Sequence, residues 1–343
     1  MGRQGGRGDA AGDGARTEAA AAAARAALVR VIVADGGLTD PAWRAAFVGV
    51  PRHLFVPYYY VAVEDGFEQV GRDHPDPRVR ARWLSGAYAD TPLATRVRDG
   101  RLISSSSQPS LMARMLEVLG VHDGDRVLEI GAGTGYNAGL LSHRLGEERV
   151  TTVDLDPEIA SSARDHLAAA GHRPEVVTGD GAGGWAAGAP YDRILATCSL
   201  AAVPPAWIAQ CRPGGLVLAP LATGLIALRV RDARHAEGRF LHTSAYFVPL
   251  RGGPEPQPVD TRSLPPGVLD EEPFPFLLAL TAGRQAPESV YELWEDAHRP
   301  GRERFGVTVR GDRQWAWLDR PDGPHAWPLG DGAAVGTAGP GGH

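Results

Sequence analysis

The chain has 343 residues, 22% of them charged and 43% apolar, with a formal net charge of −6, enough for one large domain and a smaller one in a soluble globular protein. All 35 basic residues are arginine, which removes Schiff-base chemistry and the lysine of phosphate-binding loops, while the acidic balance argues against a nucleic-acid surface. Two cysteines, Cys198 and Cys211, make no disulfide framework and lack metal-ligand spacing, so a cytoplasmic protein with no metal and no membrane span is expected.

Residues 1–16 carry no apolar face and are expected as a disordered tail. From Thr17 an alanine-rich run predicts a helix stopped by Gly36 and Gly37, and a second helix opens at Pro41 with Asp40 as N-cap. The segment "VPRHLFVP" (50–57) is too proline-bounded for a long element and reads as a packed connector, with His53 a packing residue rather than a base. In "SSSSQPSLMARM" (104–115), Leu111, Met112, Met115, Leu116 and, further on, Leu119 form one helical face. Pro109 starts that helix, and Ser107 or Gln108 caps it.

The centre alternates strand and helix signals. "RVLEI" (126–130) is a buried strand, followed by a glycine-rich turn and a helix from Tyr136 to Leu145. "VTTVDL" (150–155) is a strand, Pro157 opens a helix that Gly171 closes, and "EVVTG", "YDRILATC" and "LVLAPL" are further strands. This order implies a doubly wound parallel sheet with helices on both faces. "LIALRVRD" and "FLHTSAYFVPL" predict an antiparallel pair at the sheet edge. Beyond the Pro-rich connector after residue 251, an apolar segment, a helix near 291–297 and a hairpin suggest a smaller β-rich subdomain, and four of the eight tryptophans (Trp294, Trp315, Trp317 and Trp327) fall in this region. The expected division is thus a tail (1–16), an N-terminal helical and substrate-facing segment (17–110), a core (111–250), an extension for peptide recognition (251–330) and a second disordered tail (331–343).

"VLEIGAGTGYN" (127–137) is the strongest local motif. Gly131, Gly133 and Gly135 let the backbone approach a ligand at a helix N-terminus. Tyr136 stands where a dinucleotide fingerprint needs its third glycine. Glu129, at the strand's carboxyl end, repels a pyrophosphate and suits a cationic sulfonium or amino group. Asp154 ends the next strand, where a carboxylate can accept both hydroxyls of a ribose; the alternative helix-capping role falls better to Asp156. Asp180 in "TGDGAGG" lies where an adenine amino group would sit, or makes a plain Asp-Gly turn.

Together "VLEIGAGTGYNAGLLSHRLG", "VTTVDLDPEIA", "VVTGDGAGG", "APYDRILATC" and "RPGGLVLAPL" resemble an S-adenosylmethionine-dependent class I methyltransferase. "VPRHLFVP", "AYADTPL" and "SSSSQPSLMARMLEVL" are similar to the protein-L-isoaspartate O-methyltransferase family, over roughly residues 25–235. The resemblance implies a seven-stranded Rossmann-like sheet and S-adenosyl-L-methionine as cofactor. It implies that Glu129, Gly131, Gly133, Gly135, Asp154, Leu155, Asp180 and Gly181 hold that cofactor. It also implies that Ser107 is the active-site serine, with Ser105, Ser106, Gln108 and Ser110 facing the substrate. Ser105 replaces the family's threonine and Ser110 its histidine. With the C-terminal extension and "SAYFVPLRG", these departures resemble members that esterify an Asp of ribosomally made, macrocyclised peptides (lanthipeptides or graspetides), leading to aspartimide. L-isoaspartyl repair is the alternative expectation, and a non-catalytic cofactor-binding or peptide-docking scaffold the second.

Overall fold

In the computed structural model, which describes residues 6–64, 66–251 and 259–330, the chain divides into two units. One comprises Met1–Gly124 and Ala132–Thr178, the other Asp125–Gly131 and Gly179–His343. Both expected tails fall partly or wholly outside the described residues, at 1–5 and 331–343, as does 252–258 of the connector.

Helix α1 spans Gly6–Ala34, so the helix expected from Thr17 begins well inside segment 1–16. Once the alanine tract is helical, adding residues at its N-terminus carries only the small propagation term. Helix α2 (Pro41–Gly49) follows the Asp40 cap, whose carboxylate accepts the Ala42 N–H at 2.7 Å. The proline-bounded connector holds a single turn, α3 (Arg52–Phe55).

The segment 17–110, expected as helical, carries a sheet as well as helices. Strands β1 (Tyr58–Val63) and β2 (Gly66–Gly71), helix α4 (Pro77–Ala87), and strands β3 (Leu93–Arg98) and β4 (Arg101–Ser106) follow. The four strands form an antiparallel sheet in the order β2-β1-β3-β4. Val56, Tyr59, Val70, Trp83 and Leu93 pack beneath it, and the Trp83 indole donates to the Val56 carbonyl at 2.7 Å. Strand β4 runs directly through the serine run into α5 (Pro109–Leu119), which buries Met112, Met115, Leu116 and Leu119 as its sequence periodicity requires.

Strand β5 (Val127–Ile130) belongs to the second unit. The first resumes with α6 (Tyr136–Leu145), β6 (Val150–Asp154), α7 (Pro157–Ala169) and β7 (Glu175–Thr178), with β6 and β7 paired in parallel, Thr152 opposite Val176.

The second unit continues with β8 (Tyr191–Ala196), α8 (Pro205–Gln210), β9 (Cys211–Leu221), β10 (Gly224–Asp232) and β11 (His235–Ser244). Beyond the connector come α9 (Phe274–Thr281), α10 (Pro287–Asp296), β12 (Phe305–Arg310), β13 (Arg313–Leu318) and β14 (Ala326–Pro328). Its strands lie in the order β14-β13-β12-β11-β10-β9-β8-β5, parallel from β5 to β9 and antiparallel onward. The pair β10–β11 is therefore not at an edge: β12 pairs with β11, Thr308 opposite Glu237. The extension continues this sheet rather than forming a sheet of its own. Phe276 of α9 packs edge-on against Phe240 and Phe305, at 4.8 and 5.5 Å between centroids, which fastens the extension to β11 and β12. Trp294, Trp317 and Trp327 are buried in it as core residues. Among the described residues no helix is long and apolar enough to cross a membrane.

Candidate active site

In the first unit, the turn between β5 and α6 is held against the end of β6. Ala132 N–H donates to the Val153 carbonyl at 3.2 Å, and Gly133 N–H donates to Asp154 Oδ2 at 3.1 Å. The other Asp154 oxygen accepts the Asp156 N–H at 3.1 Å. Asp156, not Asp154, caps α7, accepting from Glu158 and Ile159. Asp154 is thus a buried carboxylate whose two oxygens are each held by a backbone donor. Leu155 next to it is a large apolar side chain left 41% exposed. Gly135 has φ +85°, and a Cβ there would stand 3.1 Å from the Ala163 carbonyl, so the turn needs glycine on both counts. His166 of α7 donates from Nδ1 to the Thr134 carbonyl at 3.0 Å, since a carbonyl can only accept. Beside this turn lies a cleft whose lining includes Arg96, Ser104, Gly133, Thr134, Ser162 and His166.

The serine run also lies in the first unit. Ser105 is on β4 opposite Ala94, and Ser104 and Ser106 are buried. Ser107 is half-buried, and its carbonyl accepts from Arg52 at 3.2 Å. Neither Ser107 nor Gln108 caps α5 through its side chain. Gln108 occupies the N-cap position without a side-chain cap bond, and the free N–H of Ser110 is met by Asp90 Oδ1 at 2.8 Å. The second Asp90 oxygen accepts from Gln108 Nε2 at 3.2 Å. The Ser107 hydroxyl is therefore released from the capping role that the sequence offered it.

In the second unit, Glu129 is a fully buried carboxylate on β5, opposite Leu195 of β8. Gly131 follows with φ +99°, and a Cβ there would come within 2.6 Å of Thr197 Oγ1. Asp180 is exposed and accepts the Ala182 N–H at 2.9 Å, making the Asp-Gly turn that was its plainer reading. The Gly181 carbonyl accepts from the Trp207 indole at 2.8 Å. The segment "SAYFVPL" is not strand throughout: β11 stops at Ser244, and the chain returns past the end of β8, with Ser199 N–H donating to Val248 O and Leu250 N–H to Ser199 O, both at 2.9 Å. Cys198 and Cys211 are buried, and burial pushes the Cys211 thiol up to about 12, which leaves it inert.

Sequence reasoning overlooked Arg52 and Asp90, which bind the serine run from segments lying 55 and 20 residues earlier in the chain. The one available signal was an arginine inside the otherwise apolar, proline-bounded connector. His53 is, as expected, a packing residue, with Nδ1 2.7 Å from the Tyr88 hydroxyl and its ring edge-on to Trp83.

The sequence profile of the protein-L-isoaspartate(D-aspartate) O-methyltransferase family matches residues 23–254. A protein-L-isoaspartate O-methyltransferase 1 from Anaeromyxobacter sp. (strain Fw109-5) is 38% identical over 227 residues, covering 64% of this chain and 92% of the relative. One from Methanoregula boonei is 36% identical over 233 residues, covering 66% and 93%. Among solved structures, a protein-L-isoaspartate O-methyltransferase superposes with a TM-score of 0.59 at 23% identity, covering 86% of this chain and all of that one. A Plasmodium falciparum structure of the same description, in complex with S-adenosyl-L-homocysteine, gives 0.50 at 14% identity, covering 66% and 98%. Fold and comparisons define a Rossmann-like class I, S-adenosylmethionine-dependent carboxyl O-methyltransferase. The chain belongs to the protein-L-isoaspartate O-methyltransferase family.

Proposed function

We propose that this protein transfers a methyl group from S-adenosylmethionine to the free carboxylate of an L-isoaspartyl residue in a peptide or protein. The isoaspartyl acceptor is supported by the family match over residues 23–254, and the observation that supports cofactor use is Asp154, a buried carboxylate at the end of β6 bound to the glycine turn through the Gly133 N–H. A fixed acceptor of that kind suits two vicinal ribose hydroxyls. Gly131 and Gly135 hold positive-φ conformations that keep the turn's backbone bare of side chains, and the charge of the Glu129 carboxylate would favour a sulfonium or ammonium. Gly133, Leu155, Asp180 and Gly181 complete the proposed cofactor set, with exposed Leu155 an apolar surface for a flat base.

The bound cofactor supplies an electrophilic methyl on a sulfonium that leaves as a neutral thioether. An ionised acceptor carboxylate needs no base, so the chain's own task is to align it, strip its water and hold it. Positioning of this kind is worth about 7–11 kcal/mol of barrier. Ser107 would donate to the acceptor carboxylate, with Ser105, Ser106, Gln108 and Ser110 shaping its surroundings. In the methyl ester product the following backbone nitrogen can attack the carbonyl and expel methanol, closing a succinimide.

A second reading, methylation of an ordinary Asp in a ribosomally made and macrocyclised peptide, is favoured by Ser105 and Ser110, which stand where the family motif has threonine and histidine. The extension no longer separates the two readings. Residues 1–254 are 254 of 343, so a superposition over 86% of the chain with a protein-L-isoaspartate O-methyltransferase reaches into the extension. The deciding experiment offers the enzyme one peptide sequence in three forms (isoaspartyl, aspartyl and macrocyclised aspartyl) with S-adenosylmethionine, read by mass spectrometry. A methyl gain on the isoaspartyl form alone supports repair, and a methyl gain or water loss on an aspartyl form supports the second reading. No transfer to any carboxylate rejects both.

A further inference from the structure

Arg52 is fully buried at the start of α3. Its Nη1 donates to the carbonyls of Ala87 and Ala89 at 2.9 and 3.2 Å. Its Nη2 reaches the Thr91 carbonyl at 3.5 Å, the Ser106 carbonyl and hydroxyl at 3.4 and 3.2 Å, and the Ser107 carbonyl at 3.2 Å. Nε is buried and has no partner. The guanidinium thus holds together two stretches, 87–91 and 106–107, entirely through neutral acceptors. Burial lowers its pKa to about 10, which leaves it charged at neutral pH. Buried cations are costly, and the Asp90 carboxylate offsets part of that cost by favouring the charged guanidinium.

We propose that Arg52 is a positioning residue for the acceptor carboxylate: by fixing the 106–107 backbone it sets where the Ser107 hydroxyl stands. This rests on the reading of Ser107 given above. Without the guanidinium, carbonyls from the two stretches converge with no donor between them, and the loop must open to admit water. Lysine cannot substitute, because one ammonium lacks the planar fork that serves both stretches at once. Asp90 works from the other side of the same loop, holding Ser110 and Gln108. The serine run is therefore fixed at its strand end by a cation and at its helix end by an anion.

The test uses the full chain with Arg52→Lys, and with Ser106→Ala, which removes one acceptor and leaves the cation in place. Three readouts are taken: amide hydrogen exchange over residues 104–110, calorimetric affinity for S-adenosylhomocysteine, and kcat and KM for an acceptor peptide. Arg52→Lys is expected to speed exchange in that segment and lower peptide kcat/KM by about 10–100-fold, the range for a lost charge-assisted hydrogen bond, with S-adenosylhomocysteine affinity within about twofold of wild type. Ser106→Ala is expected to do the same more weakly, and it decides the matter if Arg52→Lys does not fold. Unchanged exchange with unchanged kcat/KM overturns the proposal, as does a parallel loss of cofactor affinity and melting temperature, which marks a purely structural role. Ser107→Ala at the wild-type rate overturns the reading of Ser107 instead. A slow Ser107→Ala beside a wild-type Arg52→Lys overturns the role of Arg52 alone.

Discussion

The Asp90 carboxylate accepts the Ser110 N–H at 2.8 Å, capping helix α5 from twenty residues upstream. The first turn of that helix is therefore completed by tertiary structure rather than by its own sequence. Asp90→Ala leaves an unmet donor at the helix start, with an expected loss of about 1 kcal/mol of stability. Urea unfolding of the two proteins checks this, and an unchanged midpoint would show that water or Gln108 takes over the cap.

Ser107→Ala is expected to behave in the opposite way. Its side chain caps nothing, so the unfolding midpoint and cofactor affinity should stay at wild-type values while methyl transfer slows by tenfold or more. Single-turnover transfer with saturating S-adenosylmethionine is the measurement, and a wild-type rate removes the hydroxyl from the chemistry.

For Asp154, the expected outcome of Asp154→Ala is loss of calorimetrically detectable S-adenosylhomocysteine binding. The substitution removes both the proposed ribose acceptor and the group that holds the Gly133 and Asp156 N–H donors. Asp154→Asn keeps one acceptor oxygen and should bind with intermediate affinity. Equal affinities for all three proteins would sink the ribose assignment.

Stability should fall as pH drops below about 6.5, the unperturbed histidine value. Burial lowers the pKa of His53, His166 and His172, so between 6.5 and each folded value the unfolded chain binds more protons than the folded one. Stability then rises with pH through that window: the contribution is fully present above 6.5 and is lost as acid is added. Denaturant midpoints at pH 7.5 and 5.5 measure it, and His166→Gln should flatten part of the slope. A higher midpoint at pH 5.5 would contradict the sign.

Local chemistry made some of this fold legible in the sequence, and nonlocal pairing hid the rest. Pro41, Pro109 and Pro157 mark helix starts because proline fits the first helical turn, and all three helices begin there. The strand, glycine turn and helix over 127–145, and Asp154 after it, lie close enough in sequence for composition to reveal them. The sheet of β1 to β4 was missed, although Asp99-Gly100 stands as a hairpin signal between β3 and β4. The clamp of Arg52 on Ser106 and Ser107 leaves no periodic trace, since it depends on a fold that brings together residues 54 and 55 positions apart. In the same way the Pro-rich stretch after 251 suggested a boundary, and only the pairing of Glu237 with Thr308 shows the sheet continuing.

That continuation bears on what shortening the chain would expose. Strand β11 has β12 along its outer side, and Phe240 lies against Phe276 of α9. A chain ended at the proline-rich stretch would keep β11 as an open, hydrogen-bond-hungry margin with an uncovered aromatic beside it, a template for self-association. The part of this protein beyond the proline-rich stretch is therefore not a detachable module. Trimming it would trade a question about peptide choice for one about solubility.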